Sequence, residues 1–235
     1  LMKDEENFHD ERILSEEEKN IERVGFAYQP IEYARNEWIN SLKKLGKTLE
    51  IGVWKGDILF KVHKESESFT GIDLSSEAIK LLQIKTKTLK LSNIKLEHLD
   101  FFDLPEDIKF DTIIMSGVLH HLDLNKVVKK IDNLLNKNGK FHLWEPLPGP
   151  MLLRFFRFLT PHLRTDDETP LSQSFLDQLK NEFPSYNLKY CGSSIAITAP
   201  MALIKVNKNF LYKVDKIFTK KNFFKPWVIY GYFSK

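Results

Sequence analysis

Residues 48–57 read TLEIGVWKGD. A short apolar run climbs through Leu49 and Ile51 around an acid, Glu50. It ends at Gly52, and Gly56 follows with Trp54 midway between the two glycines. An apolar run that stops at glycine reads as a buried strand leaving its sheet, and the DILFKVHKE stretch after it reads as helix. Downstream the alternation continues. SFTGID (68–73) is a second strand closed by an acid. SSEAIKLLQIKTKTL (75–89) is a helix capped by Ser75 or Ser76, with Ala78, Ile79, Leu81, Leu82 and Ile84 turned inward. IKLEHLD (94–100) and KFDTIIMSG (109–117) are a third and a fourth strand. DLNKVVKKIDNLLNKNG (123–139) is a helix that buries Val127, Val128, Ile131, Leu134 and Leu135 and closes at Gly139. KFHLWEP (140–146) is a fifth strand, stopped by Pro146. Strands that alternate with helices pair in parallel with helices on both faces, and right-handed crossovers leave an open, doubly wound α/β sheet.

Residues 11–45 read as helical, divided at Pro30 and closed by Gly46. After Pro146 the alternation lapses into a proline-rich stretch (147–171), which reads as an insertion over the site. SQSFLDQLKNEF (172–183) is a helix capped by Ser172 or Ser174, NLKYCGSSIAI (187–197) a strand, and WVIYGYF (227–233) the last strand. Between them KNFLYKVDKIFTKK (208–221) is a basic helix expected to turn Phe210, Leu211, Val214, Ile217 and Phe218 inward.

The chain has 235 residues, 42% of them hydrophobic, enough for one large domain with a real core. A formal net charge of +3 gives no ground for nucleic-acid binding. The charge is uneven, however: from Pro200 onward eight lysines stand against one acid, Asp215. A single cysteine, Cys191, excludes an internal disulfide and a four-cysteine metal site, and suits a reducing cytoplasm. The acidic N-terminal stretch lacks the apolar core of a secretory signal, and no run is long and apolar enough to span a bilayer.

In an open parallel sheet, ligands bind beyond the carboxyl ends of the strands. That singles out Glu50–Gly56, Asp73, Asp100–Phe101, Met115–Gly117 and Glu145. Gly52 lets the chain turn sharply and brings bare backbone near a cofactor, and Gly56 lets the next helix start close by. Trp54 stands where a dinucleotide fingerprint needs glycine for close phosphate approach, so a cofactor without phosphates is favoured.

These segments, in this order, resemble the class I S-adenosylmethionine-dependent methyltransferases over roughly residues 45–146. EIGVWKG (50–56) is similar to that family's first loop with Trp54 for its middle glycine, HLDFFDLP (98–105) to the segment after its third strand, and FDTIIMSGVLHHL (110–122) and LLNKNGKFHLWEP (134–146) to its fourth- and fifth-strand motifs. The resemblance implies a doubly wound, mostly parallel seven-stranded sheet and S-adenosylmethionine as cofactor, with S-adenosylhomocysteine as product. It implies a cofactor site of Glu50, Gly52, Val53, Trp54, Gly56, Asp73, Leu74, Asp100, Phe101, Ser116 and Gly117. Backbone amides at Gly52 would meet the cofactor's amino-acid end. Asp73 would take the ribose hydroxyls and Leu74 the adenine face. Asp100 would take the adenine amine, and Phe101 would give a backbone donor to a ring nitrogen.

Methyl transfer needs alignment above all, and a general base only when the acceptor holds a proton. His121 and His120 are the candidates for that base, ahead of Glu145. No metal is expected, because Met115–Ser116 replace the aspartate of metal-dependent relatives. A small-molecule or glycan-type acceptor, O-methylated, is the leading expectation. Arg154, Arg157 and Arg164 could bind an anionic or lipid-linked acceptor. Alternatives are a nicotinamide-dependent oxidoreductase and a non-catalytic S-adenosylmethionine-binding protein. Residues 1–45 would close the cofactor cleft over a domain of residues 46–235, in which 147–171 form a lid and 205–222 a basic insertion. Peripheral membrane contact, no nucleic-acid partner and a monomer or dimer complete the expectations.

Overall fold

The computed structural model describes residues 10, 29–149, 170–195, 197–198, 201, 206–221 and 224–235. In chain order the elements are α1 (Gln29–Ser41), β1 (Gly46–Ile51), α2 (Leu59–Val62), β2 (Ser66–Asp73), α3 (Ser76–Thr88), β3 (Ile94–His98), β4 (Phe110–Ser116), α4 (Leu124–Leu134), β5 (Leu135–Pro146), α5 (Gln173–Glu182), β6 (Ser185–Cys191), α6 (Lys208–Lys220) and β7 (Val228–Ser234). The strands form one seven-stranded sheet in the order β3-β2-β1-β4-β5-β7-β6. All pairs from β3 to β5 are parallel, and β7 is antiparallel to both of its neighbours. This is the mostly parallel, doubly wound sheet expected from the alternation of segments.

Successive residues on a strand face opposite sides, which divides the core in two. Ile113, Met115, Phe141 and Leu143 pack with Val127, Ile131, Leu134, Phe175 and Leu179 of α4 and α5. On the other face Ile114 and Trp144 pack with Trp38, Ile39, Ile58, Leu59 and Leu82 of α1, α2 and α3. Side-chain caps start α3 and α5 at Ser75 and Ser172, as the sequence suggested, and α4 at Asp123. Ser75 accepts from the Ala78 amide, Asp123 from Asn125 and Ser172 from Phe175.

Local readings are corrected in four places. Gly46 begins β1 in a left-handed turn (φ 59°), five residues after α1 has ended, and does not close that helix. Pro30, by contrast, lies in the first turn of α1, where a missing amide costs nothing, as expected of a proline at a helix start; residues 11–28 before it lie outside the described residues. Gly139 sits within β5, whose register shifts between Phe110 and Thr112 of β4. Two helices also turn differently. On α3, Leu81 and Ile84 are exposed, and the buried face is Ala78, Ile79, Leu82 and Thr86. On α6 the buried face is Leu211, Tyr212 and Asp215, which puts Phe210 and Ile217 outside. Both helices hold more apolar residues than one face can bury, and a packed partner chooses among them.

The segment 150–169, with Arg154, Arg157 and Arg164, and most of the N-terminal 28 residues lie outside the described residues. The ends of the 147–171 stretch are tied to the chain beside β7 and at the end of β5: the Leu147 amide donates to the Trp227 carbonyl at 2.7 Å and the Leu171 amide to the Pro146 carbonyl at 3.3 Å. Among the described residues, no helix is long and apolar enough to cross a membrane.

Candidate functional site

Because β1, β2, β4 and β5 run in parallel, their last residues share one end of the sheet. A cavity of about 440 Å³ opens there, within the usual range for small-ligand pockets. Glu50, Gly52, Val53, Trp54, Asp73, Leu74, Asp100, Phe101, Ser116 and Gly117 all border it, as do His120 and His121. Gly56 and Glu145 do not.

The loop after β1 is built around two tight contacts. Gly52 has φ 74°, and a Cβ there would come within 2.4 Å of a Val118 methyl, so its close approach is to the loop after β4. Its amide donates to the Ile72 carbonyl at 2.9 Å. The expectation that this amide faces a cofactor is therefore corrected, since the donor is already used in the join to β2. A Cβ on Gly56 would meet the Phe60 ring and Leu82 at 2.7–2.8 Å, which makes it a packing glycine under α2 and α3. Trp54 adopts φ 44°, a left-handed backbone that glycine enters more easily. Its amide donates to Asp73 Oδ2 at 2.8 Å. Asp73 Oδ1 accepts from the Ser75 amide, also at 2.8 Å. Asp73 thus joins the loops after β1 and β2 and keeps its carboxylate at the cavity wall.

Glu50, at the end of β1, is 2% exposed, and its Oε2 has no hydrogen-bond partner. Burial pushes its carboxyl well above the usual range. The Arg35 guanidinium opposes this, and the Asp73 and Asp57 charges add to it. Arg35 comes from α1, borders the same cavity and pairs with Asp57 at 3.5 Å. A buried acid with an open oxygen, facing a guanidinium across a cavity, suits a ligand end that carries both an ammonium and a carboxylate.

Asp100 Oδ1 caps the turn at 101–103 by accepting from the Phe102 amide at 2.7 Å. The Phe101 ring is buried in the core while the residue borders the cavity. Lys130 of α4 reaches beneath this turn and donates to the Phe102 and Leu104 carbonyls at 3.1 and 2.5 Å.

At the far wall, Glu145 is fully buried. Its Oε1 accepts the amides of Val118 and Leu119 at 2.8 and 3.0 Å, and its Oε2 meets His120 Nδ1 at 2.9 Å. Glu145 therefore stands behind the loop and shapes it, outside the cavity lining. In the tautomer whose Nδ1–H donates to this carboxylate, the His120 Nε2 carries the lone pair. The His121 ring lies 4.1 Å from that of His120.

Arg35, Asp57 and Val118 are cavity residues that the sequence motifs did not assign a role. Arg35 lies fifteen residues before Glu50, on a helix whose register no motif fixes. Val118 was visible only as the residue after Gly117.

A family described as "Methyltransferase domain" matches residues 42–222. An uncharacterized methyltransferase of Alkaliphilus oremlandii is 31% identical over 101 residues, covering 42% of this chain and 44% of that protein. A tRNA U34 carboxymethyltransferase of Campylobacter fetus is 38% identical over 94 residues, covering 39% and 33%. The chain spans about half or less of the length of these curated relatives. Among solved structures, the N-methyltransferase NodS of Bradyrhizobium japonicum in complex with S-adenosyl-L-homocysteine superposes with a TM-score of 0.54 at 17% identity, covering 91% of this chain and 86% of that one. The cyclopropane synthase MmaA2 of Mycobacterium tuberculosis gives 0.58 at 13% identity, covering 85% and 82%. At those identities the likeness is one of fold. The family match over most of the chain, on a sheet whose strand ends enclose this cavity, makes the chain a member of the class I S-adenosylmethionine-dependent methyltransferases.

Proposed function

We propose that the enzyme methylates an oxygen of a small-molecule or glycan-type acceptor, with His120 as the general base. The observation that carries this reading is the pair His120–Glu145 at the cavity wall. An imidazole fixed through Nδ1 by a fully buried carboxylate keeps Nε2 as a proton acceptor. A hydroxyl acceptor needs such a group, whereas a neutral amine has its own lone pair. His121, the first candidate from sequence, then serves as the neighbouring ring that limits how His120 can tilt.

In the same reading the cofactor lies along the strand ends. Its ammonium meets Glu50 and its carboxylate meets Arg35. The ribose hydroxyls bond to Asp73, and the adenine rests by Leu74 with its amine at the remaining Asp100 oxygen. When bound, it supplies an electrophilic methyl on a sulfonium and leaves as a neutral thioether. The protein's task is to align acceptor and methyl and to remove the acceptor's proton. Acceptor choice is assigned to residues 147–171, the segment that follows β5 in the sequence, and the location to the cytoplasm.

The test is a screen of hydroxyl- and amine-bearing acceptors with wild type and His120→Ala, alongside calorimetry with S-adenosylhomocysteine. His120→Ala should slow methylation of a hydroxyl acceptor ~10²–10⁴-fold and leave S-adenosylhomocysteine affinity within a few-fold. Undiminished turnover in the variant would remove the base. Turnover of amines alone would replace oxygen by nitrogen, the atom named for NodS.

A further inference from the structure

Helix α6 is held in one rotation by its buried face. Asp215 accepts from the amides of Gly192 and Ser194 at 2.7 and 2.8 Å and from the Ser194 hydroxyl at 2.7 Å. The Tyr212 ring lies 4.5 Å from that of Tyr33, and its hydroxyl donates to Glu37. With this face fixed, helical spacing lines up Phe210, Val214 and Ile217 on the opposite side. Phe210 is 50% exposed and Ile217 54%. Phe218 borders the stripe and stacks on Phe224, which is 44% exposed, with ring centroids 6.0 Å apart.

The charges around this stripe have one sign. Residues 206–226 contain six lysines: Lys208, Lys213, Lys216, Lys220, Lys221 and Lys225. The single acid among them is Asp215, and it is buried. Helical spacing puts Lys213, Lys220 and Lys221 beside the apolar stripe. Elsewhere on the fold, exposed apolar side chains such as Leu81 and Ile84 sit on a helix that also carries Glu77, a partner for Lys80 at 2.6 Å.

We infer that α6, extended by Phe224, is an in-plane docking surface for an anionic lipid bilayer. Exposed apolar side chains flanked by lysines gain on both counts at such a surface: the chains enter the acyl boundary and the ammonium groups meet anionic headgroups. Nucleic acid would reward the lysines and stack the phenylalanines, but it offers nothing to Ile217 and Val214. A second copy of the same face would bring Lys213, Lys220 and Lys221 against their own counterparts. The helix is thirteen residues long, too short to cross a bilayer, and so lies along it. This inference is independent of the acceptor and of the base.

The test is sedimentation of the full chain with phosphatidylcholine vesicles, with and without phosphatidylglycerol. Wild type should bind the anionic vesicles, bind the neutral ones weakly, and be released by salt. The double variant Phe210→Ser, Ile217→Ser should lose at least about tenfold in vesicle affinity, and so should Lys213→Gln, Lys220→Gln, Lys221→Gln. Both should keep the wild-type circular dichroism spectrum and S-adenosylhomocysteine affinity. No binding to anionic vesicles at low salt would overturn the inference. So would equal binding by the serine variant, or displacement of the vesicles by single-stranded RNA that the serine variant binds as well as wild type.

Discussion

Two glutamates end neighbouring parts of one sheet, and burial treats them differently. Glu50 stands one residue from the end of β1, as Glu145 does from the end of β5. Both are almost wholly removed from water, at 2% and 0% exposure. Glu145 is met by two amides and an imidazole. Glu50 has an oxygen with no partner, and its carboxyl is pushed well above the usual range by burial, against the pull of Arg35. A satisfied buried acid is part of the scaffold. An unsatisfied one is held at a cost in the free protein, and a cation arriving in the cavity repays that cost.

The largest expected effect comes from breaking the satisfied member. Glu145→Ala strands two amides and releases His120, and should lower stability by about 3–5 kcal/mol. For a chain of this size that is a fall of roughly 6–20 °C in Tm. Thermal unfolding without ligand reads it directly, and a fall of a degree or two would mean that the Val118–His120 loop does not depend on this carboxylate.

His142 sharpens the same comparison with a base on the same strand. It is buried, its Nδ1 has no partner, and burial, aided by the Lys140 charge, lowers its pKa to about 4. A folded pKa below the unfolded value of about 6.5 means that its contribution is fully present above pH 6.5 and is lost as pH falls towards 4. Wild type should therefore lose up to about 3 kcal/mol over that window on account of this ring. Urea unfolding at a series of pH values should show His142→Phe with a flatter acid limb, and parallel limbs would remove His142 as the cause.

Glu50→Gln tests the unsatisfied member, and its sign is reversed. A folded pKa above the unfolded value of about 4.3 gives a contribution that is complete below pH 4.3 and is lost as pH rises through the folded value. At a pH above that folded value the free variant should thus be more stable than wild type. At the same pH it should bind S-adenosylhomocysteine at least about tenfold more weakly. Equal stability combined with weaker binding would mean that Arg35 already compensates the buried charge.

How much of this was readable beforehand follows from the length scale of each signal. The order of five strands, the cavity at their ends and the acids Glu50 and Asp73 follow from local apolar runs that stop at glycine or at an acid. Which lone pair each acid keeps does not. The Gly52 amide was assigned outward, yet it bonds to Ile72 in a neighbouring strand that only the fold brings near. Which of the two adjacent histidines meets a carboxylate is decided by Glu145, twenty-five residues on from His120, and no local motif reports it. On α6, helical periodicity allowed several inward faces. The one adopted was chosen by Asp215 and the turn at Gly192–Ser194, a polar contact that hydrophobic pattern cannot report.

The smallest expected effect concerns Trp54, which lies between the two glycines and ties the loop after β1 to Asp73 of β2 through its backbone amide. At φ 44° it occupies a region that costs an ordinary residue roughly 1–2 kcal/mol. Trp54→Gly removes that strain, but it frees the unfolded chain by about 0.5–1 kcal/mol and exposes what the half-buried indole covers. The two sides nearly cancel, so stability should move by less than about 1 kcal/mol in either direction. The Trp54 amide would still reach Asp73 Oδ2, because that bond belongs to the backbone. S-adenosylhomocysteine affinity should then stay within a few-fold of wild type if the indole is only a wall of the cavity. A loss of about a hundredfold, measured by calorimetry, would instead make the indole a contact surface for the cofactor and would move the centre of binding from the two buried acids to the loop between them.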